Sequence, residues 1–119
     1  LNNVAWTDRN AGAHPHRVGH REGNAFGLFD LHGNVDEWCA SQWTRNHSAR
    51  TELAAESRRL RHAPTTNVPL PTTPSARRVF RGGSWGFGPG SARAAYRGRG
   101  HPSDRSRVRG FRLVLAPPA

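Results

Sequence analysis

Lysine is absent from this chain. All 18 basic residues are arginine, and with 8 acidic residues they give a formal net charge of +10. Cysteine occurs once in 119 residues. With Cys39 alone, no internal disulfide can form, and the chain cannot supply a two-thiolate metal site. Between Trp38 and Ala40, Cys39 reads as a buried structural thiol rather than a nucleophile. No apolar run approaches the roughly 20 residues that span a bilayer. The first residues, Leu1-Asn2-Asn3-Val4, show neither an initiating methionine nor a signal-peptide pattern. The expectation is the middle of a longer protein or a processed product.

Apolar residues are also scarce, at 34%, while breakers are plentiful, with 13 Gly and 9 Pro. That balance argues against a helical bundle and for a loop-rich fold of short strands. The length bounds the chain to one domain, residues 1–119. Such a domain buries about two-thirds of the surface its unfolded chain exposes. The arginine surplus attracts phosphates, nucleic acids or acidic glycans. A GC-rich genome gives the same surplus by displacing lysine codons, and that reading is preferred. The aromatic interleaving of single-strand binders is missing, so nucleic acid is not the favoured partner.

Along the chain, residues 1–23 are polar and broken, and carry His14, His16 and His20. Their spacing fits a metal site only with a carboxylate such as Glu22, so solvated histidines are expected. Residues 24–43 hold aromatic clusters around Gly27, Gly33 and Trp38. A tight Gly33-Asn34 turn leads into a strand over Val35–Cys39. Residues 48–62 are the one good helix candidate, capped by Ser48 and with arginines near its C-terminal end. Residues 63–76 read as an internal loop rich in Pro and Thr. Val79-Phe80-Arg81 reads as a strand entering Gly82-Gly83. Residues 86–109, rich in Gly and Pro, read as surface loop with a short helical turn near Ala92–Tyr96. A final strand is expected over Phe111–Leu115.

Two runs carry a likeness. Asn24-Ala25-Phe26-Gly27-Leu28-Phe29-Asp30-Leu31-His32-Gly33-Asn34-Val35-Asp36-Glu37-Trp38 resembles the first signature of the formylglycine-generating (sulfatase-modifying factor) domain. Arg81-Gly82-Gly83-Ser84-Trp85, followed by Arg93, Arg97, Pro102, Arg105 and Gly110-Phe111-Arg112, resembles its C-terminal signature. The order and spacing are specific where any one tripeptide would not be. The resemblance implies an α+β, C-type-lectin-like fold of the formylglycine-generating enzyme type, loop-rich with short strands and few helices. A full family domain is longer, and this chain matches roughly its C-terminal half.

The resemblance also implies a structural calcium ion held by the Asp30 carboxylate, the Gly33 and Val35 carbonyls and the Glu37 carboxylate. Calcium takes six to eight oxygens, which turn carbonyls and carboxylates supply. Asp36 departs from the family, which usually has an aromatic or apolar residue there. Arg81, Arg93, Arg97 and Arg112 stand at family positions and are expected to tie backbone carbonyls and carboxylates together through their planar donors. The family's copper-dependent enzymes need two cysteines after the Gly-Gly-Ser-Trp run, and this chain has none there. The oxidase activity is therefore not expected. A triad of Ser84, His101 and Asp104 has no spacing rule behind it.

Two functions follow. The first is a non-catalytic ligand-binding domain that displays residues 86–109, its contacts drawn from Phe87, Arg99, His101, Ser103, Asp104, Ser106, Arg107, Val108 and Arg109. Its ligand would be a protein or a glycan. Variable proteins of diversity-generating retroelements belong to this subfamily and are rewritten over the corresponding C-terminal segment. The second is a metal-dependent oxidoreductase domain, with iron or copper, completed by a missing N-terminal segment.

Overall fold

The computed structural model describes residues 1–45 and 76–113. The helix expected at 48–62 lies outside the described residues, as does the 63–76 loop apart from Ala76. Among the described residues there is no helix. The strands are β1 (Ala5–Trp6), β2 (His32–Gly33), β3 (Asp36–Gln42), β4 (Arg78–Arg81), β5 (Gly98–Gly100) and β6 (Arg109–Gly110). β1 and β2 pair in parallel as a small sheet, and the larger sheet runs β5-β4-β3-β6. Within it β5–β4 and β4–β3 are antiparallel, and β3–β6 is parallel.

The larger sheet is organised by three residues in one register row: Trp38 opposite Phe80, and Phe80 opposite Gly98. Partners in a row share a face of the sheet. Trp38 and Phe80 meet edge to face, with ring centroids 5.8 Å apart, an arrangement the ring quadrupoles favour. Gly98 leaves room for the Phe80 ring, because a Cβ there would stand 1.9 Å from Phe80 Cε2. The glycine of β5 is therefore a packing requirement.

The buried apolar residues are small or few: Ala5, Ala11, Val79, Phe80 and Ala92. Beside them lie buried polar side chains, Thr7, Asp30, Asn34, Asp36 and Ser84. Among the described residues, buried polar side chains are thus as numerous as buried apolar ones.

Several expected elements are shifted. The Gly33-Asn34 turn forms, with φ of 77° and 63°, and the strand after it extends through Gln42 rather than ending at Cys39. Cys39 is half-buried, with its Sγ 3.9 Å from the Glu37 carbonyl oxygen. Among the described residues the last strand is Arg109–Gly110; of the strand expected over Phe111–Leu115, residues 111–113 form none and 114–115 lie outside the described residues. Asp36–Glu37 supplies a parallel partner only for those two residues, after which Arg112 turns back toward Glu37. Residues 86–109 are not surface loop throughout, because β5 is zipped to β4 within them. Ala92–Tyr96 forms no helical turn of its own. Four-residue turns are closed by the Ala92 N–H on the Pro89 carbonyl and the Tyr96 N–H on the Arg93 carbonyl.

Candidate functional site

The Gly33-Asn34 turn is the junction of the molecule. Asn34 is buried, in a left-handed conformation that Asn tolerates better than most residues. Its backbone N–H donates to the Trp6 carbonyl, and its own carbonyl accepts from the Trp85 N–H, both at 2.8 Å. Its side chain bonds the His16 backbone twice, accepting from N–H at 2.9 Å and donating to the carbonyl at 3.0 Å. Three distant segments thus meet on one residue. Gly33 is required beside it: a Cβ there would fall 2.2 Å from the Trp6 carbonyl oxygen. Nothing in the local sequence marks Asn34 as this hub.

Asp36 follows two residues later, fully buried. Its Oδ1 accepts from the Gly83 N–H at 3.1 Å, and its own N–H donates to Val108 at 2.8 Å. Its Oδ2 has no hydrogen-bond partner, nor do the buried Ser84 Oγ and Arg109 Nε. Burial pushes the carboxyl up to about 6, while the nearby Arg109 charge and the Gly83 N–H pull it down. The family departure at this position therefore places an ionisable group inside the fold.

Of the residues proposed for calcium, Asp30 and Glu37 meet at Arg112. Its guanidinium grips both Glu37 oxygens, with Nε at 2.5 Å and one terminal nitrogen at 2.6 Å. That terminal nitrogen also donates to the Phe29 and Asp30 carbonyls at 3.1 and 3.2 Å. The hydrogen bond to Glu37 is the main reason the Arg112 guanidinium is held above its ordinary value. Asp30 sits in the left-handed region with φ 55°. Its Oδ2 accepts from the Gly19 N–H at 2.7 Å, while its Oδ1 is buried without a partner. The donor set fits calcium in part. Asp30 Oδ1 is open, whereas Glu37 already carries a cation on both oxygens. Asp30, Val35, Glu37 and Arg112, but not Gly33, line a cleft of about 380 Å³ walled by Val18, Leu28, Phe29 and Phe111.

The other three family arginines also act as cross-links. Arg81 donates to the Ala94 carbonyl. Arg93 donates to Gly90 at 3.0 Å, and Arg97 reaches Thr44 at 3.4 Å. Arg112 alone ties a carboxylate and carbonyls together, while Arg81, Arg93 and Arg97 each reach one carbonyl.

The segment 86–109 is stitched down at intervals and exposed between. The stitches are the Phe87 carbonyl on the Asp8 N–H, buried Ala92 whose carbonyl binds the His32 ring at 2.7 Å, β5, and β6. The side chains of Phe87 and Arg99, on the stitches themselves, and of His101, Ser103, Asp104, Ser106 and Arg107, between them, are exposed, while Val108 and Arg109 are half-buried. Asp104 Oδ2 accepts from the His101 N–H at 2.8 Å, and the His101 ring bonds Ser103 Oγ at 2.6 Å, closing a tight turn. Arg99 lies over Trp43 at 4.2 Å, and Arg107 over Trp85 at 5.8 Å. Arg109 covers Trp38 and Phe80 at 4.6 and 3.8 Å. Ser84 is fully buried and His101 is exposed, so no Ser84–His101–Asp104 triad is presented to solvent.

Among the three N-terminal histidines, His14 and His20 are exposed, but His16 is not simply solvated. It stacks on Trp6 at 3.7 Å, with Arg21 at 3.5 Å from the same ring centroid. Both distances fit only if the two groups cover opposite faces of the indole. Its Nε2 bonds the Ala11 carbonyl at 2.8 Å. Among the described residues no group of three or more His, Cys, Asp or Glu side chains is placed to hold a metal ion.

This lectin-like arrangement has known counterparts. Residues 2–117 match the sulfatase-modifying factor enzyme 1-like domain, and the chain belongs to that family. The solved Treponema denticola variable protein 1 is 30% identical with a TM-score of 0.69, over 93% of this chain and 35% of that one. PvdO from Pseudomonas aeruginosa is 28% identical with the same TM-score of 0.69, over 93% of this chain and 38% of that one. The serine/threonine-protein kinase pkn1 of Chlamydia caviae is 32% identical over 91 residues, which are 76% of this chain and 13% of the kinase. The chain therefore spans little more than a third of the solved relatives and a smaller part of the kinase. Among the described residues, no helix is long and apolar enough to cross a membrane.

Proposed function

We propose that this chain is a ligand-binding unit that presents residues 86–109 to a protein or glycan. One observation carries the reading: the segment is anchored at separated points on the sheet while the side chains between those points face solvent. A rigid scaffold with replaceable side chains is what binding loops require. The contacts are Phe87, Arg99, His101, Ser103, Asp104, Ser106 and Arg107, with Val108 and Arg109 beneath them. The likeness to a variable protein at 30% identity supports extending the proposal to diversification by a retroelement. The test is to sequence the gene and its surroundings across independent isolates. Clustered changes at the exposed codons beside a reverse transcriptase support the extension, whereas an unchanged 86–109 segment with no such neighbour refutes it.

The match to an enzyme family supports a second reading, a metal-dependent oxidoreductase domain, with iron or copper, completed by further polypeptide. Metal analysis of the complete gene product separates the two. Stoichiometric iron or copper favours the oxidoreductase, and calcium alone favours the binding unit. A structural calcium at Asp30, Gly33, Val35 and Glu37 is part of the proposal, supported by the open Asp30 oxygen.

A further inference from the structure

Where β3 ends beside β4 and β5, arginines gather around one indole. Trp43 continues the ladder past β3, donating its N–H to the Arg77 carbonyl at 2.8 Å. Arg99 lies over the Trp43 ring, its guanidinium 4.2 Å from the centroid. Arg97 reaches the Thr44 carbonyl at 3.4 Å, and Arg45 is the next residue. Arg45, Arg77 and Arg99 are exposed, and Arg97 is half-buried. Arg99 pairs with Val79, one position off the row of Phe80 and Gly98. Its side chain therefore stands on the face of the sheet opposite the Trp38 and Phe80 rings.

This charge is not neutralised nearby. Among the described residues the ion pair is Arg112 with Glu37, and none of these four arginines is paired with Asp or Glu. Asp104 approaches β5 on the other face, since a Cβ on Gly100 would lie 3.0 Å from both its Oδ2 and Trp38 Cη2. The stretch 46–75, which follows Arg45 in sequence, holds four Arg and two Glu, so its composition adds positive charge.

Codon bias sets how many arginines there are, but not that four without ion pairs surround one indole. Guanidinium forks take sulfate, carboxylate or phosphate oxygens two at a time, and the ring beneath Arg99 holds its fork in place. The bases of a single strand need a bare aromatic platform, whereas Trp43 is capped by Arg99. A duplex groove admits a helix or a two-stranded ribbon, whereas the edge strand β5 has three residues. A protein interface is centred on apolar anchors, and the capped Trp43 is a poor one. We propose that Arg45, Arg77, Arg97 and Arg99 form a docking site for an acidic glycan carrying sulfate or carboxylate groups. Only Arg99 is among the loop contacts named above, so the two readings can fail separately.

The test uses the complete product of the gene, with a size-defined heparin oligosaccharide as the probe. Binding is measured by calorimetry at about 0.1 M salt, where screening reaches about 10 Å. An Arg45→Gln, Arg77→Gln, Arg99→Gln triple variant should bind at least ~10-fold more weakly, because charge-assisted forks are lost. An Arg9→Gln, Arg17→Gln, Arg105→Gln variant loses the same charge elsewhere and should stay within ~2-fold. Equal losses in the two variants mean attraction by net charge alone and overturn the site, as does a parent protein that does not bind the probe. Circular dichroism melts check folding. If the triple variant melts lower, Arg45→Gln, Arg77→Gln alone, which leaves Arg99 on its ring, should still weaken binding at least ~4-fold. A Phe87→Ser, His101→Ser variant alters the loops without removing an arginine. If it loses as much affinity as the triple variant, the glycan sits on the loops and the patch is overturned. Duplex DNA or a glutamate-rich peptide binding more tightly than the oligosaccharide, with the same dependence on Arg45, Arg77 and Arg99, overturns the glycan assignment.

Discussion

Replacing Asp36 with Asn should flatten part of the pH dependence of stability, in a predictable direction. Asp36 is fully buried, with one oxygen on the Gly83 N–H and the other without a partner. Burial raises the carboxyl in the fold to about 6 from 3.8. A raised acid binds its proton more tightly folded than unfolded, so protonation favours the fold. The contribution is complete below the unfolded value, declines as pH rises from about 4 to 6, and is gone above. A displacement of about two units corresponds to ~3 kcal/mol. Asn keeps an acceptor for Gly83 and does not ionise. The variant should therefore gain ~2–3 kcal/mol relative to the parent between pH 4 and pH 7.5. Urea unfolding at half-unit pH steps measures this, and the difference between the two proteins removes the contribution of the other carboxylates. A difference that stays constant with pH, or one that moves against Asn as pH rises, refutes the burial reading.

Three further outcomes are expected. Arg112→Lys keeps the charge but loses the fork that holds both Glu37 oxygens and two carbonyls; because the pair is partly exposed, the loss should be ~1–2 kcal/mol in thermal or urea melts. Gly98→Ala drives a methyl into the Phe80 ring and should cost ~2 kcal/mol or more, whereas Gly90→Ala, with nothing within 4 Å of the added carbon, should stay within ~0.5 kcal/mol. If calcium is bound as proposed, chelation should lower the melting temperature and Asp30→Asn should abolish that response; a melt indifferent to both calcium and chelator removes the ion from the proposal.

The fold family was legible because its signatures are local strings with fixed order, and the four family arginines were legible because planar donors in a loop-rich chain need acceptors. Two-residue strands such as β1, β2 and β6 show no periodicity, so the Arg109–Gly110 pairing was not expected. Gly98–Gly100 looked like loop because glycine signals a turn unless the ring packed against it is known. Asn34 and Asp36 escaped for the same reason. Their roles depend on His16, Trp6, Trp85, Gly83 and Val108, partners that sequence neighbourhood does not reveal. Arg112 also altered the reading of Glu37, since the carboxylate assigned to a metal has an internal cation on both oxygens.

If the retroelement proposal holds, the stitched layout of residues 86–109 has a genetic consequence. Rewriting confined to template adenines leaves glycine and alanine unchanged, because their first two codon bases hold no adenine and their third base is silent. A template carrying such codons at Gly98, Gly100 and Ala92 would keep the anchors constant in every descendant. Serine, asparagine or arginine codons that contain adenine between them would be free to change. Fold and specificity would then be inherited separately within one 24-residue segment, and each new surface would arrive on a backbone already known to fold.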